Sequence, residues 1–165
     1  MTFQISGGIG VGLVLSVIGD ACLVYPASFE LGVVAFGLAH LHYIKAFGWQ
    51  PLNIGIGILL YSVVGGYLAI AVIPGLPDLL SLIMMPLYAA LLTTTAWRAL
   101  ARAAGSSVAS RHLTAIGTVL FVISDCLIAH NLYVQPLPAK QFLIMSTYYA
   151  AQLLITLTAN HAISE

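Results

Sequence analysis

The sequence predicts an all-α protein, a polytopic transmembrane helical bundle of about six spanning helices that forms a single domain over residues 1–165. Two observations predict this fold class. Of the 165 residues, 61% are hydrophobic and only 6% are charged, and the mean hydropathy is +1.04. Apolar runs also repeatedly exceed the roughly 18 residues that indicate a membrane helix. A helical bundle satisfies the backbone hydrogen bonds of such segments within lipid.

The first three helices are predicted over residues 8–25, 29–47 and 52–73, and prolines set their limits. Pro26 separates the first helix from the second, because proline cannot continue a helix without the loss of a backbone hydrogen bond. Pro51 directly precedes the third helix, in the position that proline favours at a helix start.

The last three helices are predicted over residues 77–103, 110–131 and 138–162. Pro86 lies inside the fourth helix, where a kink is tolerated because neighbouring helices can satisfy the freed carbonyl group. The breaks between these helices carry the helix-breaking residues Pro74, Pro77, Gly105, Pro136 and Pro138.

The charged residues predict the orientation of the bundle. The connections on the side of both termini carry four basic residues, Lys45, Arg98, Arg102 and Arg111. The connections on the opposite side carry Glu30, Asp78 and Lys140. Because lysine and arginine are enriched on the cytosolic side of membrane proteins, both termini are predicted to lie in the cytosol.

Two near-identical tetrapeptides each place an aspartate inside a hydrophobic segment: Val17-Ile18-Gly19-Asp20 and Val122-Ile123-Ser124-Asp125. The chain has only five aspartate and glutamate residues in all. An ionised carboxylate inside a membrane costs at least ~2.5 kcal/mol, so an intramembrane acid indicates a functional site. Both aspartates lie about a turn and a half before the far end of their helices, so the sequence predicts them at similar depth.

Polar side chains of four helices are predicted to line one cavity around these acids. In the first helix the small or polar residues Gly8, Gly12, Ser16 and Asp20 recur at every fourth position, which is typical of a face packed on neighbouring helices. The predicted cavity-lining residues are Ser16, His40, Tyr43, Ser124, Tyr148, Tyr149 and Gln152. The alternative interpretation is that each of these polar groups only forms an interhelical hydrogen bond, which explains a buried amide better than a buried carboxyl.

Composition and motifs disfavour several other classes of function. The formal net charge is zero and there is no basic run, so nothing indicates nucleic-acid binding. No histidine pair shows metal-ligand spacing beside an acid, and no nucleophile-elbow or phosphate-loop motif occurs, so we predict no metal and no cofactor. Cys22 and Cys126 are interpreted as small buried hydrophobic residues.

Four segments carry a more specific pattern: Leu13–Leu23, Gly37–Tyr43, Phe121–Asp125 and Tyr148–Ile155. In this order and spacing the chain resembles the YhhN-like lysoplasmalogenase family of multi-pass membrane hydrolases, from about Gly12 to Asn160. The resemblance is greatest to the animal members, which implies an endoplasmic-reticulum or other internal membrane. It also implies hydrolysis of the vinyl-ether bond of lysoplasmalogens, alkenyl-glycerophosphoethanolamine or -choline, to a fatty aldehyde and a glycerophospho-base.

The acidic positions of that family match Asp20 and Asp125, and the resemblance therefore implies catalytic roles for both. A vinyl ether resists base but yields to acid, which requires one neutral carboxylic acid as proton donor and one carboxylate to stabilise the resulting cation. The sequence leaves open which aspartate is the acid. Members of the family usually carry two more helices before the segment of Asp20, so this chain is expected to lack them.

Two alternative functions stay open at the level of the sequence. Buried acids also serve as proton-binding sites, as in a proton-coupled lipid or small-molecule transporter. The parallel relation of the two aspartate helices and the absence of paired broken helices argue against that alternative. A catalytically silent membrane scaffold is the third possibility. The expected partners of an active enzyme are the lysophospholipid substrate and the lipid bilayer, and the oligomeric state is left open.

Overall fold

The computed structural model describes residues 2–161, and the side chains of residues 7–157, as a bundle of α-helices. The helices are α1 Thr2–Leu23, α2 Phe29–Phe47, α3 Ile54–Tyr67, α4 Leu79–Ala103, α5 Ala109–Tyr133 and α6 Lys140–His161. A 3-10 turn at Pro26–Ser28 precedes α2, and a π-helical turn at Leu68–Val72 with a 3-10 turn at Ile73–Gly75 extends α3. No strand occurs between residues 2 and 161. The predicted all-α fold class is confirmed.

The predicted helix boundaries differ from the observed ones mainly in two helices. α1 begins at Thr2 instead of residue 8, because no proline stands before residue 8 to stop the helix. The regular part of α3 ends at Tyr67, and the π-helical turn carries the chain onward to the break at Pro74. The other boundaries agree within a few residues.

Four segments of the described chain are long and apolar enough to cross a membrane: Pro26–Phe47, Ile54–Gly75, Leu79–Ala103 and Ala109–Tyr133. The apolar part of α1, Gly7–Leu23, is shorter. The chain is therefore a polytopic integral membrane protein by length and composition. That α1 and α6 also span the bilayer stays a prediction.

Five helices close into a ring. α1 packs on α2, α2 on α4, α4 on α5 and α5 on α6, and α6 returns to α1. α3 lies outside the ring against α4, and the turns that extend it contact α5. The connections 24–28, 73–78 and 134–139 form one end of the bundle, here called the distal end, opposite the start of α1 and the end of α6.

Aromatic side chains of three ring helices form the centre of the core. The rings of Phe36 in α2 and Phe121 in α5 are 5.9 Å apart, and Phe121 is 5.5 Å from Tyr148 in α6. His40 packs against Phe121 with their ring centroids 5.0 Å apart. All three pairs are edge-on, the geometry that aromatic quadrupoles favour.

Glycines let α1 approach α2 closely. A Cβ atom on Gly12 would collide with the Tyr43 ring, and a Cβ atom on Gly19 would lie 2.6 Å from Cε2 of Phe36. Real Cβ contacts are never that short, so a larger residue would push the two helices apart or displace the rings. The predicted close packing of the small-residue face of α1 is confirmed at Gly12, and Gly19 beside that face packs equally closely.

Arg98 ties α4 to the connection between α2 and α3. Its guanidinium donates from Nε to the Gly48 carbonyl at 2.7 Å, from Nη2 to Pro51 at 2.8 Å and from Nη1 to Leu52 at 3.1 Å. The residue is fully buried, and the guanidinium carbon lies 5.5 Å from the centroid of the Trp97 ring. From the sequence, Arg98 was interpreted only as a positive charge near the membrane surface. In the folded chain it also anchors the connection between α2 and α3.

Candidate active site

A cavity of about 340 Å³ lies in the distal half of the bundle, and every helix contributes to its wall. We call it the distal cavity. Exposed side chains at its edge, among them Val24 at 69% and Tyr149 at 63% exposure, show that it opens to the outside. Most of its wall is apolar, and two aspartates, five tyrosines and one cysteine supply its polar side chains. Among the described residues, no lysine, arginine or histidine belongs to the wall.

Asp20 lies in the wall near the distal end of α1. The hydroxyl of Tyr148, on α6, donates a hydrogen bond to its Oδ2 atom at 2.7 Å. The Tyr148 oxygen in turn accepts a hydrogen bond from Nε2 of Gln152 at 2.8 Å, one turn further along α6. Because Tyr148 has one hydroxyl proton and gives it to Asp20, the amide group of Gln152 must present its nitrogen.

Asp125 lies in the same wall, on α5. The hydroxyl of Tyr88, on α4, donates a hydrogen bond to its Oδ2 atom. Within the described part of the chain, no second hydrogen-bond donor to this carboxyl was found. Each aspartate of the two repeated tetrapeptides therefore meets a tyrosine hydroxyl from a neighbouring helix of the ring.

The residue before each aspartate fixes how its helix packs. Gly19 leaves room for the ring of Phe36, which also lines the distal cavity. Ser124 is fully buried and donates a hydrogen bond from Oγ to the Ile144 carbonyl of α6 at 3.3 Å. Through these contacts α1 packs closely on α2, and α5 packs closely on α6. The next residue in each helix, Asp20 or Asp125, then faces the cavity.

Four of the sequence-predicted site residues lie in the cavity wall: Asp20, Asp125, Tyr148 and Tyr149. The structure places the other five behind the wall rather than in it: Ser16, His40, Tyr43, Ser124 and Gln152. The reason is that the helices close tightly around these polar groups, which bond to neighbouring side chains or to the backbone. Tyr43 and Ser16, for example, share a hydrogen bond of 3.4 Å, and Ser16 donates to the Gly12 carbonyl.

His40 is an example of a buried polar residue behind the wall. Its Nδ1 atom lies 3.2 Å from Oγ1 of Thr95, and Thr95 donates its own proton to the Leu91 carbonyl. Thr95 must therefore accept a hydrogen bond from Nδ1–H. In a neutral imidazole this places the only ring proton on Nδ1, so Nε2 carries a lone pair and no hydrogen. This Nε2 atom is buried and has no hydrogen-bond partner in the described chain. His40 packs edge-on against Tyr88 at 5.8 Å.

Sequence reasoning missed Tyr88, the partner of Asp125. The residue is a single tyrosine in the apolar first half of α4, close after Pro86. A buried tyrosine hydroxyl nearly always has a hydrogen-bond partner. A tyrosine in an apolar membrane helix therefore indicates a polar partner on a neighbouring helix. The sequence does not show which residue that partner is, because α4 and α5 meet only in the folded bundle.

Tyr67 is a second residue of the wall that sequence reasoning missed. It is the last residue of α3, and its hydroxyl lies 3.0 Å from Nδ1 of His130 on α5.

The described part of the chain contains no cluster of three or more histidine, cysteine, aspartate or glutamate side chains, which a metal site would need. The polar side chains of the wall carry carboxyl, phenol and thiol groups.

Comparison with known proteins identifies the family of the chain. The YhhN family model matches residues 4–159. The chain belongs to the YhhN family. It is 41% identical over 147 residues to lysoplasmalogenase TMEM86B of Homo sapiens, which covers 89% of this chain and 61% of that relative. It is 38% identical over 154 residues to lysoplasmalogenase TMEM86A of Homo sapiens, which covers 90% of this chain and 63% of that relative.

The matched region of the YhhN family includes both aspartates and both tyrosines that bind them. The chain spans about three fifths of the length of the relatives, since the match to TMEM86B covers 61% of the human protein and 62% of the Sus scrofa protein. The recognition of this family from the sequence is confirmed, including the similarity to animal members. No solved structure matches the chain.

Proposed function

We propose that this member of the YhhN family is a lysoplasmalogenase, which hydrolyses the vinyl-ether bond of lysoplasmalogens. Two of its relatives carry that name in Homo sapiens. The observation that carries the proposal is the pair of carboxyl groups, Asp20 and Asp125, in the wall of one largely apolar cavity. A lipid-like substrate with an acid-sensitive bond needs that combination.

Hydrolysis begins with a proton transfer to carbon. One carboxylic acid protonates the alkene carbon that is not bonded to oxygen, and the electron pair of the double bond forms the new C–H bond. The resulting oxocarbenium ion is stabilised by the second group, a carboxylate. Water then adds to the cation and gives its proton to that carboxylate, which forms a hemiacetal.

Collapse of the hemiacetal restores both groups. The first carboxylate takes the hemiacetal hydroxyl proton as the C=O bond of the aldehyde forms. The C–O bond to glycerol breaks, and the leaving oxygen takes its proton from the second carboxyl group. Each aspartate thus returns to its starting state, and the net reaction consumes one vinyl ether and one water.

The shape of the distal cavity supports a substrate that enters from the membrane. Apolar side chains of its wall, such as Val33, Leu92 and Ile144, suit an alkenyl chain. Exposed Tyr149 and Val24 lie where the cavity opens, so the polar headgroup can stay in contact with water or lipid headgroups. The two aspartates belong to the same wall, so the vinyl-ether bond between chain and headgroup can reach them.

We further propose that the protein resides in the endoplasmic reticulum or another internal membrane, with both termini in the cytosol. The basic residues at the end of the bundle where both termini lie support this orientation. A tag at either terminus is expected to become accessible to antibody when only the plasma membrane is permeabilised, in cells where it co-localises with a reticulum marker. Accessibility that requires full permeabilisation would contradict the orientation.

The direct test is the release of aldehyde from a defined lipid. The purified protein in lipid nanodiscs is expected to release fatty aldehyde from an alkenyl lysophospholipid. The saturated alkyl-ether analogue, which has no alkene carbon to protonate, is expected to stay intact. Cleavage of both lipids would exclude the proton-transfer mechanism. No aldehyde, together with pH-driven uptake of the intact lipid into liposomes, would favour the transporter alternative.

A further inference from the structure

Two carboxyl groups share the distal cavity, and no lysine, arginine or histidine of the described residues lies in its wall. Two carboxylates in an apolar cavity would repel each other, and neither would have a positive partner to offset the loss of hydration. His40, behind the wall, is buried and its Nε2 atom has no hydrogen-bond partner among the described residues, so a proton there would place an unpaired charge in the core. The surroundings therefore favour one negative charge for the pair, with one carboxylate and one protonated acid.

The hydrogen bonds of the two carboxyl groups differ. Asp20 accepts from Tyr148, whose oxygen itself accepts from the Gln152 amide. A hydroxyl that accepts a hydrogen bond becomes a stronger donor, because the chain of hydrogen bonds polarises its O–H group. A stronger donor favours the ionised form of the carboxyl group that accepts from it.

The hydrogen bonds from Gln152 to Tyr148 and from Tyr148 to Asp20 are here called the relay, and Asp125 has no comparable chain of hydrogen bonds. Its partner Tyr88 packs edge-on against the neutral ring of His40, and no donor to the Tyr88 oxygen was found within the described residues. The surroundings of Asp125 thus supply one unassisted phenol hydroxyl. Of the two carboxyl groups, Asp125 has the weaker support for a negative charge.

We propose that Asp20 is the carboxylate of the pair and Asp125 is its proton donor, an order that the Gln152–Tyr148 relay fixes. Asp125 then protonates the alkene carbon, and Asp20 stabilises the cation and takes the proton of the attacking water. Gln152, Tyr148 and Tyr88 are positioning residues that act through the two acids. The catalytic part of this assignment rests on the proposed function, whereas the location of the proton does not.

The location of the proton can be measured without any turnover. Infrared spectra of the protein in nanodiscs near neutral pH are expected to contain the carbonyl stretch of a buried protonated carboxylic acid. This band is expected to disappear in Asp125→Asn and to persist in Asp20→Asn. Disappearance in Asp20→Asn alone would reverse the assignment. A band that neither variant changes, or no such band in the wild type, would overturn the single-charge pair.

The pH profile of hydrolysis tests the positioning residues. Loss of the relay in Gln152→Leu or Tyr148→Phe makes the Asp20 carboxylate easier to protonate, so the acidic limb of the profile is expected to move up by about one pH unit. Tyr88→Phe is expected to leave that limb in place and to move the basic limb upward, because Asp125 then holds its proton more firmly. A residue with a purely structural role would lower turnover at every pH alike.

Matched controls come from the same chain. Tyr61→Phe removes a hydroxyl that bonds Thr94 outside the cavity, and Gln141→Leu changes an exposed glutamine of α6. Both are expected to keep the wild-type profile. A Tyr88→Phe protein whose acidic limb moves would contradict the proposal. If the wild-type protein does not hydrolyse the lipid while the infrared band still depends on Asp125, the proposed function fails and the assignment of the proton stands.

Discussion

Asp20→Asn and Asp125→Asn are each expected to abolish vinyl-ether hydrolysis while the protein stays folded in the membrane. Asparagine keeps the size of aspartate, but it can neither supply a carboxylic proton nor hold a negative charge beside an oxocarbenium ion. General acid–base catalysis alone contributes about 10²–10⁴-fold in rate, and the loss of electrostatic stabilisation adds to that. The two acids act as one unit, so the double variant is expected to be little worse than either single variant.

Each asparagine variant is expected to fold because its hydrogen-bond partner is kept. The Tyr148 and Tyr88 hydroxyls can donate to the asparagine Oδ1 atom as they do to the carboxyl group. In Asp20→Asn, removal of the buried charge also removes its desolvation cost. Turnover is measured per molecule of monodisperse protein, together with thermal unfolding in detergent.

Asp78→Asn is the matched control for both variants. Asp78 is exposed at the start of α4 and accepts a hydrogen bond from the Ser81 backbone N–H at 2.8 Å, a role that asparagine fills well. This variant is expected to keep full turnover. Near-wild-type turnover in either cavity variant would show that the paired-aspartate mechanism is wrong, and lower stability with retained turnover would indicate a structural role instead.

Arg98→Met is expected to cause the largest loss of stability of any single substitution considered. It removes three donors from the carbonyls of Gly48, Pro51 and Leu52 and leaves the connection between α2 and α3 without its anchor. Hydrogen bonds to charged groups are worth about 1.5–3 kcal/mol each, and water at this end of the bundle can replace part of that. We therefore expect a loss of roughly 2–4 kcal/mol, seen as a lower midpoint of thermal unfolding in detergent.

Two further substitutions separate charge from geometry in that prediction. Arg98→Lys keeps the charge but offers one ammonium group instead of a planar fork, so it is expected to recover only part of the stability. Arg111→Met removes an exposed arginine at the start of α5 and is expected to leave unfolding unchanged. An Arg98→Met protein that melts like Arg111→Met would show that the anchor contributes little.

Composition and periodicity were sufficient to predict the helices, since prolines and long apolar runs determine them locally. The repeated tetrapeptides also drew attention to Asp20 and Asp125, because a carboxyl group in an apolar run is costly wherever the helix packs, and both residues lie in the cavity wall. The polar residues around them were harder to place. Ser16, His40 and Tyr43 lie on the predicted inner faces, but depth along the axis determines whether an inner face meets a cavity or closed packing.

By itself the sequence determined the all-α membrane fold and the family and placed two acids in apolar segments, because each of these follows from the order of residues along the chain. Only the tertiary structure decided which hydroxyl each acid meets. Tyr148 and Asp20 are 128 positions apart in sequence, and Tyr88 and Asp125 are 37 apart. Such contacts depend on which helices become neighbours in the ring and at what depth, and side-chain packing across the whole bundle sets both.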